Sequence, residues 1–122
     1  MTQERLDLGR EGERLALKKI ESLGYTCVLR NYRCPLGEVD LIAKDGETLV
    51  FVEIKTRKGR GLGYAKEAVT ARKKRQLSRV ALAYMKANEC CDTKARFDVV
   101  AVHLGREGNR IEVVKDAFDL AY

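Results

Sequence analysis

The chain has 122 residues and a formal net charge of +6, with 24 Lys and Arg against 18 Asp and Glu. This length is expected to form one domain, residues 1–122, with a real core; no apolar stretch approaches the roughly 18 residues of a membrane span, and the N-terminus carries no signal-peptide pattern. Cys27, Cys34, Cys90 and Cys91 form no CxxC pair, and the single histidine, His103, looks like a strand-end residue in an apolar pattern, so zinc ligation is not indicated and reduced thiols in a cytoplasmic protein are expected.

From Thr2 to Leu23 the apolar positions Leu6, Ala16, Leu17, Ile20 and Leu23 recur at helical spacing. Glu13 precedes Ala16, Leu17 and Ile20 by three, four and seven residues, which sets it on the inward stripe. Gly9, one turn earlier on that stripe, and Gly12 each cost about 1 kcal/mol of helix propensity relative to Ala. Such glycines predict a close approach by another backbone or a ligand. Taken alone, Glu13 reads as the partner of a nearby arginine at the helix edge; two further inward-facing acids change that.

Those acids lie on a hairpin. Gly37 to Lys44 reads as a strand, Asp45-Gly46 as a two-residue turn, and the apolar run from Leu49 to Ile54, broken by Glu53, as a second, buried strand. With Asp45-Gly46 as the loop, Lys44 faces Glu47 and Asp40 falls opposite Phe51. Cross-strand partners share a face, so Asp40, Glu53 and Lys55 are expected to project together, with Asp40 and Glu53 as diagonal neighbours. An even-membered turn is required, because a slip of one residue would reverse Asp40. Paired carboxylates repel unless a cation or a shared proton lies between them. All-oxygen donors favour a hard ion, Mg²⁺ or Mn²⁺.

Between Lys55 and Arg75 stand nine basic residues (Lys55, Arg57, Lys58, Arg60, Lys66, Arg72, Lys73, Lys74 and Arg75) against Glu67 alone. This one segment therefore exceeds the net charge of the whole chain, the footprint expected of phosphate-backbone binding. The glycines of Lys58-Gly59-Arg60-Gly61-Leu62-Gly63 would let a loop close over a strand. A second helix is expected from about Lys66 to about Ala87, with Val69, Leu77, Val80, Ala81 and Tyr84 packed on a sheet and Arg72, Gln76 and Arg79 sharing another face. Lys73 sits on the inward stripe, to snorkel outward or to reach a phosphate near the carboxylates. Phe97 to Leu104 reads as a buried strand, Gly105 to Asn109 as a turn, and Arg110 to Val114 as the last strand. The order helix, three strands, helix, two strands describes an α/β sandwich on a mixed sheet.

Gly9-Arg10-Glu11-Gly12-Glu13 with Ala16, Arg30-Asn31-Tyr32-Arg33, Gly37-Glu38-Val39-Asp40-Leu41-Ile42, Phe51-Val52-Glu53-Ile54-Lys55-Thr56-Arg57, Ala68-Val69-Thr70 with Lys73, and Arg96-Phe97-Asp98-Val99 together resemble the YraN family of small bacterial proteins over nearly the whole chain. That family is similar to the restriction-endonuclease-like superfamily and, within it, to archaeal-type Holliday-junction resolvases. The resemblance implies a central five-stranded mixed sheet flanked by helices and a metal-dependent nuclease core. Asp40, Glu53 and Glu13 would hold Mg²⁺ or Mn²⁺ with the Ile54 carbonyl, and Lys55 would orient water or offset transition-state charge. Val39 replaces the proline of the superfamily's usual proline-aspartate pair. The nucleic-acid contacts expected are Arg10, Arg57, Lys58, Arg60, Arg72, Lys73, Lys74 and Arg75.

Three readings fit these residues: an endonuclease hydrolysing DNA, branched or single-stranded DNA among the candidates; a non-catalytic nucleic-acid-binding protein that keeps the fold; and an interaction protein whose basic face meets an acidic partner, RNA or a ribosomal surface included. DNA is expected ahead of RNA as the partner, although no residue here separates the two, and a homodimer would suit two-strand cleavage by analogy.

Overall fold

The apolar run Leu49–Val52 belongs to a strand covered on both faces, which is why it lacks polar alternation. The computed structural model describes residues 2–58 and 69–120. Its elements are α1 (Gln3–Ser22), β1 (Thr26–Cys34), β2 (Gly37–Asp45), β3 (Thr48–Lys58), α2 (Ala71–Ala87), β4 (Ala95–Gly105) and β5 (Gly108–Phe118). The five strands form one sheet in the order β1-β2-β3-β4-β5, antiparallel except for the parallel pair β3–β4. A parallel pair needs a crossover, and α2 lies within it.

Two separate cores sandwich the sheet. Val39, Ile42, Phe51, Phe97 and Val99 pack with Leu77, Val80 and Tyr84 of α2. Leu41, Val50, Val52, Val100 and Val102 pack with Ala16 and Ile20 of α1. The helices therefore cover opposite faces of a mixed five-stranded sheet, in line with a restriction-endonuclease-like sandwich. No helix among the described residues is long and apolar enough to cross a membrane.

Several elements differ from the expectation. The β2–β3 loop is Gly46-Glu47, because Asp45 pairs with Thr48. Gly46 takes the first central position with φ of 63°, where a type II′ hairpin demands glycine; the register thus shifts by two residues and the facing parity survives. Helix α2 starts at Ala71, capped by the Thr70 hydroxyl, which accepts from the Lys73 N–H. Val69 is in the core but ahead of the helix, and residues 66–68 lie outside the described residues. His103 is not at a strand end: it lies inside β4, buried, with Nδ1 lacking a hydrogen-bond partner. Both edge strands carry surplus residues, near Val28 in β1 and between Val114 and Phe118 in β5, where Asp116 has φ of 52°.

At the hairpin end of the sheet, Asp98 is buried at 1 % exposure. It accepts from the Tyr25 hydroxyl at 2.6 Å, the Arg96 guanidinium at 3.0 Å and the Asp116 N–H at 2.9 Å. Arg96 also donates to Asp45 at 2.8 Å. This network fixes β4 against β2, β5 and the α1–β1 connection, with every buried charge answered.

Candidate functional site

Asp40 lies where two ladders fail together. Main-chain pairing of β2 with β3 runs from Asp45–Thr48 to Leu41–Val52, and beyond it the Asp40 carboxylate accepts the Ile54 N–H at 2.8 Å. On the β1 side, Arg30 pairs with Leu41 and Tyr32 with Val39, but the intervening Asn31, at φ 52°, and Asp40 do not pair. Strict alternation breaks there. Val39 and Ile42 both join the core beneath α2, whereas Leu41 and Ala43 join that beneath α1. Asp40 is thereby left at a fork between the strands.

Continuing the register from Leu41–Val52 sets Asp40 beside Glu53, not opposite Phe51 as expected. Glu53 is only 5 % exposed, and its Oε2 has no hydrogen-bond partner. Lys73 Nζ stands 3.5 Å from that oxygen, an ion pair without hydrogen-bond geometry. The Asp40 carboxyl is pushed up to about 8, first by burial and then by the Glu53 carboxyl beside it; the Ile54 N–H and Lys73 pull it down without prevailing. Among the described residues, one ammonium stands against this carboxyl pair.

Glu13 shares a cleft with Asp40 on the α1 side. This cleft of about 330 Å³ is lined by Glu13, Asp40, Arg5, Leu8, Gly9, Ile54 and Thr56. Gly12 beside it does meet a close approach, but by the Thr56 side chain of β3 and not by a backbone or a ligand. Gly9 differs from the expectation: a Cβ there would meet nothing within 4 Å, and the residue simply borders the cleft. Lys55 is half-buried and follows Glu53 on the face turned toward α2, and its side chain makes no hydrogen bond or ion pair among the described residues. Glu53 and Lys55 do not line the cleft of Glu13; Asp40 borders that cleft and also stands beside Glu53. Among the described residues, no group of three or more His, Cys, Asp or Glu side chains is gathered closely enough to hold an ion as placed.

Beside Lys73 opens a second cleft, of about 560 Å³, lined by Arg72, Lys73, Arg75, Arg79, Thr70, Gln76 and Leu36. Three of the expected phosphate contacts, Arg72, Lys73 and Arg75, are therefore together. Lys74 is not with them; its ammonium lies 5.7 Å from the centre of the Phe118 ring. Arg10 and Arg57 are exposed and line neither cleft, Lys58 pairs with Glu4 at 3.2 Å, and Arg60 lies outside the described residues. Sequence reasoning passed over Arg5 and Leu36, and it set Arg79 on one face with Arg72 without counting it among the phosphate contacts. Helical phase would have found both arginines: Arg5 lies eight residues before Glu13, and Arg79 lies seven after Arg72. Leu36 carries no such signal.

A family model described as "Uncharacterised protein family UPF0102" matches residues 12–102, a span that holds Glu13, Asp40, Glu53, Lys55 and Lys73. A UPF0102 protein of Syntrophus aciditrophicus (strain SB) is 47% identical over 122 residues, covering 100% of this chain and 95% of the relative. One from Geobacter sulfurreducens is 49% identical over 116 residues, 94% and 91% of the two chains. Another, from Caldicellulosiruptor saccharolyticus, is 42% identical over 114 residues, covering 92% and 97%. A family model spanning most of the chain and relatives matching it nearly end to end lead to one assignment: this protein belongs to the UPF0102 family.

Proposed function

We propose that this protein is a metal-dependent nuclease that hydrolyses phosphodiesters in nucleic acid, DNA first among the candidates. The observation that carries the reading is the Asp40–Glu53 pair at the strand fork, with a buried Glu53 oxygen unsatisfied and a cation-lined cleft alongside. Adjacent carboxyls with an orphan oxygen call for a cation or a shared proton, and an all-oxygen donor set suits Mg²⁺ or Mn²⁺ in the proton's place. Mg²⁺ is ordinarily held by one or two carboxylates and keeps its waters, so Asp40 and Glu53 suffice without a third acid.

The bound ion supplies Lewis acidity at the phosphate and a more acidic water. Asp40 and Glu53 hold it. Glu13, across the cleft from Asp40, orients a water on the α1 side. Lys55 brings a cation, unpaired among the described residues, to the face where the phosphate arrives and offsets developing negative charge. In the reaction the water oxygen bonds to phosphorus, one ester P–O bond breaks, and the departing oxygen takes up a proton. Arg72, Lys73 and Arg75 hold the backbone in place.

One observation favours a second reading. Lys73 already places an ammonium against Glu53, which lets the pair persist without an ion, as a binding protein that keeps the fold would need. A cleavage panel of duplex, single-stranded, flap and four-way-junction DNA with Mg²⁺, Mn²⁺ or EDTA separates the two. The nuclease cleaves only with the metals, and Asp40→Asn and Lys55→Ala each abolish cleavage while affinity stays within a few fold. A wild-type protein that binds and never cleaves is the binder; cleavage that survives in both variants comes from elsewhere.

A further inference from the structure

Leu36 is a large apolar side chain set among cations. It is 51 % exposed and lies in the turn between β1 and β2, yet it lines the same cleft as Arg72, Arg75 and Arg79. The turn is held in place. Gly37 has φ of 140°, and a Cβ there would fall 2.7 Å from Gln76 Nε2 of α2, while Cys34 packs on the α2-side core. Leu36 is therefore held against α2. The three arginines recur at spacings of three and four on α2, a single helical face, and among the described residues no acid lines the cleft with them.

Cations alone would suit the phosphates of any nucleic acid. An exposed leucine fixed among them asks for more: a ligand carrying negative charge and a flat apolar surface together. A nucleotide has both, but in a continuous duplex the base faces are stacked away and the exterior offers phosphate and sugar. Apolar side chains meet base faces where a step is opened or a strand is single. We propose that the α2 cleft receives an unpaired nucleotide, with Leu36 covering its base and Arg72, Arg75 and Arg79 holding the flanking phosphates. The inference rests on the nuclease reading for its outlet: Lys73 lines this cleft and stands 3.5 Å from Glu53, so the unpaired segment leads to the acid pair.

Fluorescence anisotropy in EDTA, which silences hydrolysis, tests this with one labelled single strand and its duplex. The wild-type protein binds the single strand more tightly. Leu36→Ala lowers single-strand affinity about tenfold, the scale of one leucine side chain brought out of water, and leaves duplex affinity and thermal stability unchanged. Replacing Arg72, Arg75 and Arg79 by Ala weakens both substrates and flattens the salt dependence by roughly 0.7–0.9 per lost phosphate contact. A Leu36→Ala protein that loses both substrates equally, or neither, overturns the proposal. Single-strand preference in a protein that never cleaves supports it while removing the nuclease; a wild-type protein that binds no nucleic acid overturns both.

Discussion

Thr56 of β3 fills the space that a side chain on Gly12 of α1 would need: a methyl group on Gly12 would overlap the Thr56 hydroxyl and lie 2.7 Å from Thr56 Cβ. The helix can approach the strand this closely only without a side chain there, and Glu13 is carried to the Asp40 cleft by that approach. Gly12→Ala gains about 1 kcal/mol of helix propensity. Overpacking opposes it at about 1–3 kcal/mol, and the clash prevails because Thr56 meets the methyl with three atoms of a branched side chain. Denaturant titration should show net destabilisation, and Gly12→Ala with Thr56→Gly should recover most of it.

Asp40 should make the metal-free protein less stable as pH rises. Its carboxyl sits at about 8, above the ordinary 3.8, so the folded state holds the proton that the unfolded state releases first. That contribution is fully present below about pH 4 and is lost as pH climbs toward 8. Urea melts in EDTA at pH 5 and pH 8 should show the decline, and Asp40→Asn should remove its part and be the more stable protein at pH 8. Mg²⁺ or Mn²⁺ at pH 8 should restore wild type by mass action and leave Asp40→Asn little changed.

Lys73 and a metal ion are expected to compete for the same carboxylate. Lys73→Met leaves the buried Glu53 charge unanswered and should cost about 1–3 kcal/mol without metal. Adding Glu53→Gln should return much of that loss, a coupling that a double-mutant cycle reads directly. Thermal shifts with Mn²⁺ should be larger in Lys73→Met than in wild type. Equal shifts would mean that the ammonium and the ion do not share the site.

Tyr25→Phe should destabilise the protein by about 1–3 kcal/mol, since it removes a hydroxyl from buried Asp98 and from Arg96. Burial, then Asp98, raises the Tyr25 hydroxyl above its ordinary 10.0. The folded state thus keeps this proton longer, and the stabilisation fades as pH rises past 10. DNA binding should be unchanged, which separates this scaffold position from the site.

Element order, the two-sided burial of β3 and the shared parity of Asp40 and Glu53 were legible in the sequence, because periods of 2 and 3.6 are local properties. The register was not. Asp45-Gly46 reads as a loop, but glycine fills the first loop position, and everything along the strand moves by two. The break in alternation at Asp40 was hidden as well, since it arises from Asn31 on another strand and from the Ile54 N–H taken by a side chain. Gly9 and Gly12 carried the same signal, and only contact with Thr56 tells them apart. The cleft of Leu36 with α2 and the Tyr25–Asp98 bond, 73 residues apart, join distant segments that no spacing rule connects.

The surplus residues near Val28 and around Asp116 bear on how copies of this protein can meet. An open sheet offers two unpaired rims, and a straight rim is a template for another chain. Here both rims are kinked, one in β1 and one in β5, and both carry charge, with Arg30 and Arg33 on one and Arg110, Glu112 and Lys115 on the other. Bulged, charged rims resist continuation by a further strand. Growth of the sheet from molecule to molecule is disfavoured at either end, which leaves the helical layers and the turns as the surfaces better suited to a symmetric pairing.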